Sequence, residues 1–419
     1  MGRRRRKRGQ RSTRSSEREM SPSSSLTVEV PSDLIAFEIL PRLPAKAVLR
    51  FKCVCKQWLA LASDSFFLTA HTRYNPFTVS GFLIQEISSG HLSSFSIDGG
   101  ASPAIPDPSL SSLNRLFAET YGFVVCQSCN GLLLCRSSWG LPSVVLYLVN
   151  PTTMLYRQIP SPPTDIYPIK YHFMLAFDPS TSFQYRIACI NSNIRTLALD
   201  PTVPEYHIKI YSSDTGAWEL SRETLPRGRI MQKGVYWNGA LNWVNENDLL
   251  VSFDVDQQVV KTTRMPPRDH RGVTLYFGES RGRLHLIETV ASPGGGVIDW
   301  LRFHVFEMGK NNPSWSLLYN VDLNGVRDEY AGTKSPIPHE LALRALSNWG
   351  IRAVPFFFAR EGEGEDDKLY FTYLENIFCY NLADGTCRKI FVLSPHAMHL
   401  DSSNMITALL PFAHSLFSP

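Results

Sequence analysis

Cys126, Cys129 and Cys135 come nearest, in type and spacing, to reactive chemistry. A C-x-x-C step lets two thiolates reach one tetrahedral zinc ion, and Cys135 is close enough in sequence to be a third ligand. The chain supplies no second C-x-x-C and no paired histidines to finish such a site. Cys129 also falls at the end of an apolar strand pattern, where a small buried thiol is an ordinary residue, so no metal is expected. Nucleophilic catalysis fares no better, because there is no G-x-S-x-G elbow, no H-E-x-x-H helix and no P-loop. Gly294-Gly295-Gly296 lacks the Lys-Ser/Thr ending of a phosphate cradle. His172, His207, His285 and His304 sit at alternating strand positions and read as outward or satisfied sheet residues. Trp218, Trp237, Trp243 and Trp315 recur at hairpin positions, where packing is a better account than base stacking. No catalytic residue and no cofactor is expected.

The elements that carry these residues are strands. Tyr206, Ile208 and Ile210 alternate with His207, Lys209 and Tyr211, and Leu301, Phe303 and Val305 alternate with Arg302, His304 and Phe306. One turn format recurs between them at 146–160, 175–190, 207–220, 250–266 and 377–393, with a looser copy at 304–319. Each copy is a short apolar strand, an Asn- or Asp-led turn, and a second strand. Asn150, Asp178, Asp214 and Asp384 stand where an Asx turn reverses the chain without strain. Such units cannot bury both faces alone, and radial stacking of small sheets is a standard solution. A blade length of about 45 to 50 residues predicts a β-propeller of about seven blades over residues 76–419, and the uneven spacing of the copies leaves six or eight open. A pair of packed sheets would explain the alternation but not the repeated turn. Asp98–Ser112, Ala291–Val297 and the acidic Arg360–Asp367 read as surface insertions, where binding is expected on a rigid scaffold.

Residues 28–75 follow a different period. Ser32 suits an N-cap with Asp33 in the first turn, and Leu34, Ile35, Ile39 and Leu40 recur at helical spacing. Pro44 suits the first position of a second helix, with Ala45, Val48, Leu49 and Phe51 on its apolar side. A third puts Val54, Trp58 and Leu61 on one stripe, and Asp64–His71 adds a last short turn. Cys53 and Cys55 read as small buried residues. About forty residues cannot bury so much apolar side chain unaided, so the surplus asks for a partner.

Pro31, Asp33-Leu34, Glu38-Ile39-Leu40, Arg42-Leu43-Pro44, Lys46, Leu49-Arg50-Phe51, Val54-Cys55-Lys56 and Trp58 resemble the F-box across the whole module. Pro41 and Phe37 depart from its usual pattern, and Pro41 is expected to shorten the first helix. The turn format resembles the kelch-like F-box-associated domain that follows many plant F-boxes, as do SCNGLL at Ser128–Leu133, the run Gly234–Val244 and FAHSL at Phe412–Leu416. The resemblance implies a non-catalytic subunit of a Skp–cullin–F-box ubiquitin ligase. Pro31, Leu34, Ile39, Leu40, Leu43, Pro44, Leu49, Val54 and Trp58 would dock on the Skp-type linker subunit, and through it on cullin and RING subunits. The β domain would hold a target protein for ubiquitination. Two other readings are a propeller enzyme, hydrolase or oxidoreductase, whose turnover the F-box controls, and a nuclear nucleic-acid-binding protein working through its N-terminal arginines.

Composition bounds these readings. The chain has 419 residues, 43% of them apolar, enough for a small all-α three-helix module and a large all-β domain. No run reaches the roughly 18 uninterrupted apolar residues of a membrane helix. Eight cysteines without regular spacing fit a reducing compartment, nuclear or cytoplasmic. The net charge of +4 is local: residues 1–20 alone carry +7, leaving −3 for the rest. Residues 1–27 read as a disordered tail whose Arg3, Arg4, Arg5, Arg6, Lys7 and Arg8 form a candidate nuclear import signal. The body has no global basic character of the kind nucleic-acid binding requires.

Overall fold

The computed structural model describes residues 34–419 except 77, 86–90, 98–104, 106, 108, 120–122, 138–143, 164–170, 193–205, 227, 232, 268–271, 292–297, 331–352, 362–365, 374–375 and 394–407. The tail 1–27 and its arginine run lie outside the described residues, as does Pro31.

Twenty-three strands among the described residues form six antiparallel sheets. Five of these are simple meanders: β3–β6 (Phe123–Cys129, Leu132–Ser137, Leu146–Asn150, Leu155–Ile159), β7–β10 (Tyr171–Phe177, Tyr185–Ser192, Tyr206–Ser212, Ala217–Leu220), β11–β14 (Val235–Trp237, Ala240–Val244, Leu249–Asp254, Val259–Arg264), β15–β18 (Thr274–Ser280, Arg283–Ala291, Ile298–Gly309, Asn312–Asp322) and β19–β22 (Ala353–Ala359, Lys368–Tyr373, Asn376–Asn381, Cys387–Val392). The sixth joins distant parts of the chain. β1 (Val79–Gln85) pairs with β2 (Leu92–Ser96) on one side and with β23 (Ala408–Ala413) on the other. The inner strands β23, β3, β7, β11, β15 and β19 pack one against the next, and β19 returns to β23. The molecule is therefore a six-bladed propeller, not one of about seven blades. Inserted connections, such as 97–122 with its helix Ser111–Glu119 and 323–352, stretch the repeat beyond the assumed length.

Local chemistry accounts for the turns. β3–β4, β11–β12 and β15–β16 are joined by Asn130-Gly131, Asn238-Gly239 and Arg281-Gly282, with φ of 44° and 84°, 53° and 76°, and 49° and 75°. Two consecutive positive φ values make the tight hairpin whose twist matches its strands. Asn150, Asp178 and Asp384 accept from the backbone N–H two residues on, at 2.8, 3.0 and 2.8 Å, as Asx turns do. Asp214 instead accepts from Arg186 at 3.2 Å.

Neighbouring blades are stitched by buried polar side chains. Gln85 donates to the Phe123 carbonyl at 2.7 Å and accepts from the Val125 N–H at 3.0 Å. Gln127 does the same one blade on, to the Leu175 carbonyl at 3.2 Å and from its N–H at 2.7 Å. Each amide thus replaces the strand that the inner edge lacks. Trp237 Nε1 donates to the Gly282 carbonyl at 2.8 Å, tying the fourth blade to the fifth. Within the β15–β18 blade Glu307 accepts from His285 at 3.2 Å and from Arg283 at 2.8 Å, and Arg360, just after β19, crosses to pair with Glu307 while also pairing with the buried Asp367. Both described ends of the acidic insertion are therefore fastened to the ring.

A meander alternates its turns between the two ends of the ring. The end carrying the short β3–β4, β5–β6 and β7–β8 turns meets the helical module, where Leu68, His71 and Thr72 approach Pro179 and Phe183. The described ends of β4 and β5, β8 and β9, β16 and β17, and β18 and β19 that face their connections lie at the opposite end.

Replacing Gln127 with leucine leaves the Leu175 N–H and C=O buried and unpaired. At about 1–3 kcal/mol for each of the two orphaned groups, the loss should be roughly 2–6 kcal/mol in guanidinium melts. A change below about 0.5 kcal/mol would show that the bridge is dispensable.

Candidate functional site

The helical module is built around a small core. Leu40, Ala45, Val48, Ala62 and Phe67 are buried together, with Ile35, Leu43, Leu49, Phe51, Leu61 and Leu68 packed around them. Five helical segments supply these residues, where the pattern predicts three helices and a last short turn. Ile35–Ile39 is a single widened turn, closed by the Leu40 N–H on the Ile35 carbonyl, and Leu40–Arg42 continues as a tight turn with Pro41 inside it. A proline there removes an N–H and crowds the preceding turn, so the expected first helix does not run regularly. Ala45–Lys52 follows Pro44, which stands at the N-cap. Lys56–Leu61 is short, and Val54 precedes it. The predicted last turn is the longest helix, Ser65–Tyr74, capped by the Asp64 carboxylate accepting from the Phe66 and Phe67 N–H at 2.9 and 3.4 Å.

Two contacts fix the first turn to the last helix. Arg42 donates to Glu38 Oε2 at 3.1 Å and lies 4.3 Å from the centre of the Tyr74 ring. Asn75 Nδ2 donates to the Pro41 carbonyl at 2.8 Å.

The residues expected to dock do not all face outward. Leu34, Ile39 and Val54 are exposed, at 47%, 44% and 65%, and Pro44 is exposed beside them in sequence. Leu43, Leu49 and Trp58 are half-buried, the Trp58 ring lying 5.0 Å from Phe51. Leu40 is 2% exposed and belongs to the core, so its assignment to a docking surface is corrected. The irregular turn swings it under the module while Ile39 stays outside. Cys53 and Cys55, read as buried, are exposed. Sequence reasoning missed Phe37, Leu59 and Phe66, which are exposed; Phe37 and Phe66 meet edge to face at 6.0 Å. The signal for Phe37 was its departure from the F-box pattern.

Seven of the fifteen exposed large hydrophobic side chains among the described residues fall within residues 34–75. Solvated surfaces rarely concentrate apolar groups in this way unless something covers them. The same residues carry Arg42, Lys46, Arg50, Lys52, Lys56 and Arg73 against Glu38 and Asp64. Burial, aided by the neighbouring Arg50, holds Lys46 below the ordinary lysine range, and burial does the same for Lys52. The surface is thus apolar with a basic surround.

The cysteine cluster on the ring has another role. Cys129 Sγ donates to the Phe177 carbonyl at 3.5 Å, beside Asn130 Nδ2 at 2.7 Å from the same oxygen. Burial pushes Cys126 up to about 11 and Cys129 up to about 12, the reverse of what a thiolate ligand requires. Among the described residues no three His, Cys, Asp or Glu side chains are grouped to hold a metal. No described helix is long and apolar enough to cross a membrane.

A helical module with uncovered apolar surface, carried on a closed ring of sheets, defines an interaction scaffold. Residues 86–287 match the F-box associated beta propeller domain. The F-box protein At5g07610 of Arabidopsis thaliana is 33% identical over 335 residues, covering 75% of each chain. The F-box/kelch-repeat protein At3g23880 of the same plant is 26% identical over 292 residues, covering 64% of this chain and 74% of its own. The chain belongs to the F-box proteins with a C-terminal β-propeller.

Leu40→Ala should cost about 2–5 kcal/mol, as core leucines do, whereas Leu34→Ala should stay within about 0.5 kcal/mol. Denaturation of the two variants side by side checks that division. A pH dependence follows as well. Burial lowers the pKa of His71, whose Nε2 donates to the Leu43 carbonyl at 3.0 Å, and burial with the Lys46 charge lowers His414 to about 4. Both folded pKa values lie below the unfolded value near 6.5, so acid protonates the unfolded chain first. Their contribution is complete above about pH 6.5 and is lost as pH falls toward 4. Thermal melts between pH 7 and 5 should show a falling midpoint, and His414→Gln should flatten that fall.

Proposed function

We propose that the chain is the substrate-recognition adaptor of a Skp–cullin–F-box ubiquitin ligase. Its helical module docks on a Skp-type linker subunit and, through it, on the cullin and RING subunits. Its propeller binds a target protein. The observation that carries this reading is the uncovered apolar surface at Leu34, Phe37, Ile39, Val54 and Phe66. A linker subunit that covers it needs an apolar groove bordered by carboxylates, given the surrounding lysines and arginines.

The adaptor supplies no covalent chemistry. It holds a target's lysines near a ubiquitin-charged enzyme and so raises their effective concentration. The ring suits this task because its two ends are divided. The short-turn end is occupied by the module, and the end with the long connections is left for the target, where loops on a rigid scaffold do the recognising. We assign the work to the nucleus or the cytoplasm, with Arg3–Arg8 as the import signal.

Val54→Asp buries a charge in the proposed interface without touching the core, because Val54 is 65% exposed in the free chain. Combined with Leu34→Ala, it should weaken co-purification with a Skp-type linker subunit at least about a hundredfold, since an unpaired buried charge costs several kcal/mol. Undiminished binding by a folded double variant would contradict the assignment.

A further inference from the structure

Leu416 is 5% exposed, and the core it joins is not that of the ring. It packs with Leu40, Ala45, Val48, Ala62 and Phe67 of the helical module. The residues on either side of it belong to the propeller. Asn150, fully buried in the second blade, donates to the Ser415 carbonyl at 3.0 Å and to the Phe417 carbonyl at 2.7 Å. Ser415 N–H donates to Thr152 Oγ1 at 3.4 Å, and Thr152 Oγ1 also lies 3.3 Å from His414 Nδ1. Ser415 lies so close to Gly131 that a Cβ on that glycine would come within 2.3 Å of the serine's own. The Phe417 ring rests 4.7 Å from Phe177 and 5.8 Å from Phe183 in the third blade. The segment is therefore stapled to the ring at 415 and 417 and presents 416 to the module.

We infer that Leu416 is a positioning residue for the docking surface: the module's core is complete only when β23 has paired with β1 and closed the ring. The module buries few of its apolar side chains in its own core, so one core leucine is a large share of its stability. Leu416 reaches its place because β23, three residues earlier, is held by β1 and the residues on either side of it are held by the second and third blades. A chain with an open ring has no Leu416 in the module, and Leu40 and Val48 lose a neighbour beneath the turn that displays Ile39. Docking competence is thereby coupled to a finished propeller, and incomplete chains are kept from the ligase. The docking half of this inference rests on the function proposed above; the coupling half does not.

The test uses the full chain as wild type, Leu416→Ala, Leu416→Met and a form lacking residues 414–419, with purified Skp-type linker subunit. Hydrogen exchange of 45–52 and 65–74 is compared with that of β16 and β17, far around the ring. Leu416→Ala and the shortened form should lose at least about tenfold protection in the module and none in β16–β17, with linker affinity falling by a similar factor. Leu416→Met, of equal volume, should stay within about threefold of wild type. Unchanged module protection in Leu416→Ala and in the shortened form would overturn the inference. So would equal loss in β16–β17, which would make Leu416 a general stabiliser, or full linker affinity despite lost protection. A wild-type chain that does not bind the linker subunit would refute the docking reading, and the exchange comparison would still decide the coupling.

Discussion

The pairing of β1 with β23 is the interaction on which the rest depends. A propeller blade has apolar side chains on both faces and covers them only with its neighbours, so an open ring leaves two blade faces wet. Here closure is made by a strand from near residue 80 and one from near residue 410, in register from Gln85 opposite Ala408 to Gly81 opposite Phe412. The long loop this closes costs only logarithmically more entropy than a short one, while the burial it completes grows with area. Phe82 and Phe412 are both buried at this seam. Inner-edge backbone groups are then paired by Gln85 and Gln127, which give the ring its fixed spacing.

The helical module lives on the opposite terms. Its core is small, its polypeptide short, and much of its apolar side chain points to solvent. A stable module and a sticky surface compete for the same residues. The irregular turn at Ile35–Arg42 settles the division by sending Leu40 inward and leaving Ile39 outside. Arg42, held by Glu38 and Tyr74, keeps that turn in place.

Much of this was legible in the residues. Alternation at 206–211 and 301–306 marks strands that bury Ile208, Ile210, Phe303 and Val305, and Asn150, Asp178 and Asp384 mark turns because their side chains do locally what a turn needs. The blade count was not legible. Inserted connections such as 97–122 and 323–352 lengthen the repeat without changing the turns that announce it. The inward side of the module was also hidden. Helical spacing identifies apolar residues but not which of them meet their own core, and Leu416, which completes that core, is separated from Leu40 by the whole propeller. Cys53 and Cys55 were misread for a related reason: small apolar residues are usually buried, but these flank Val54 on a surface the chain leaves uncovered.

The central claim is that the module's exposed apolar side chains are a docking surface while the ring's long-connection end stays free. Covalent footprinting of the full chain, with and without a purified Skp-type linker subunit, tests it most directly. The account predicts protection at Leu34, Phe37, Ile39 and Val54 and unchanged labelling of the propeller. Unprotected module residues in a demonstrated complex, or protection confined to outer strands such as β6 and β10, would contradict it.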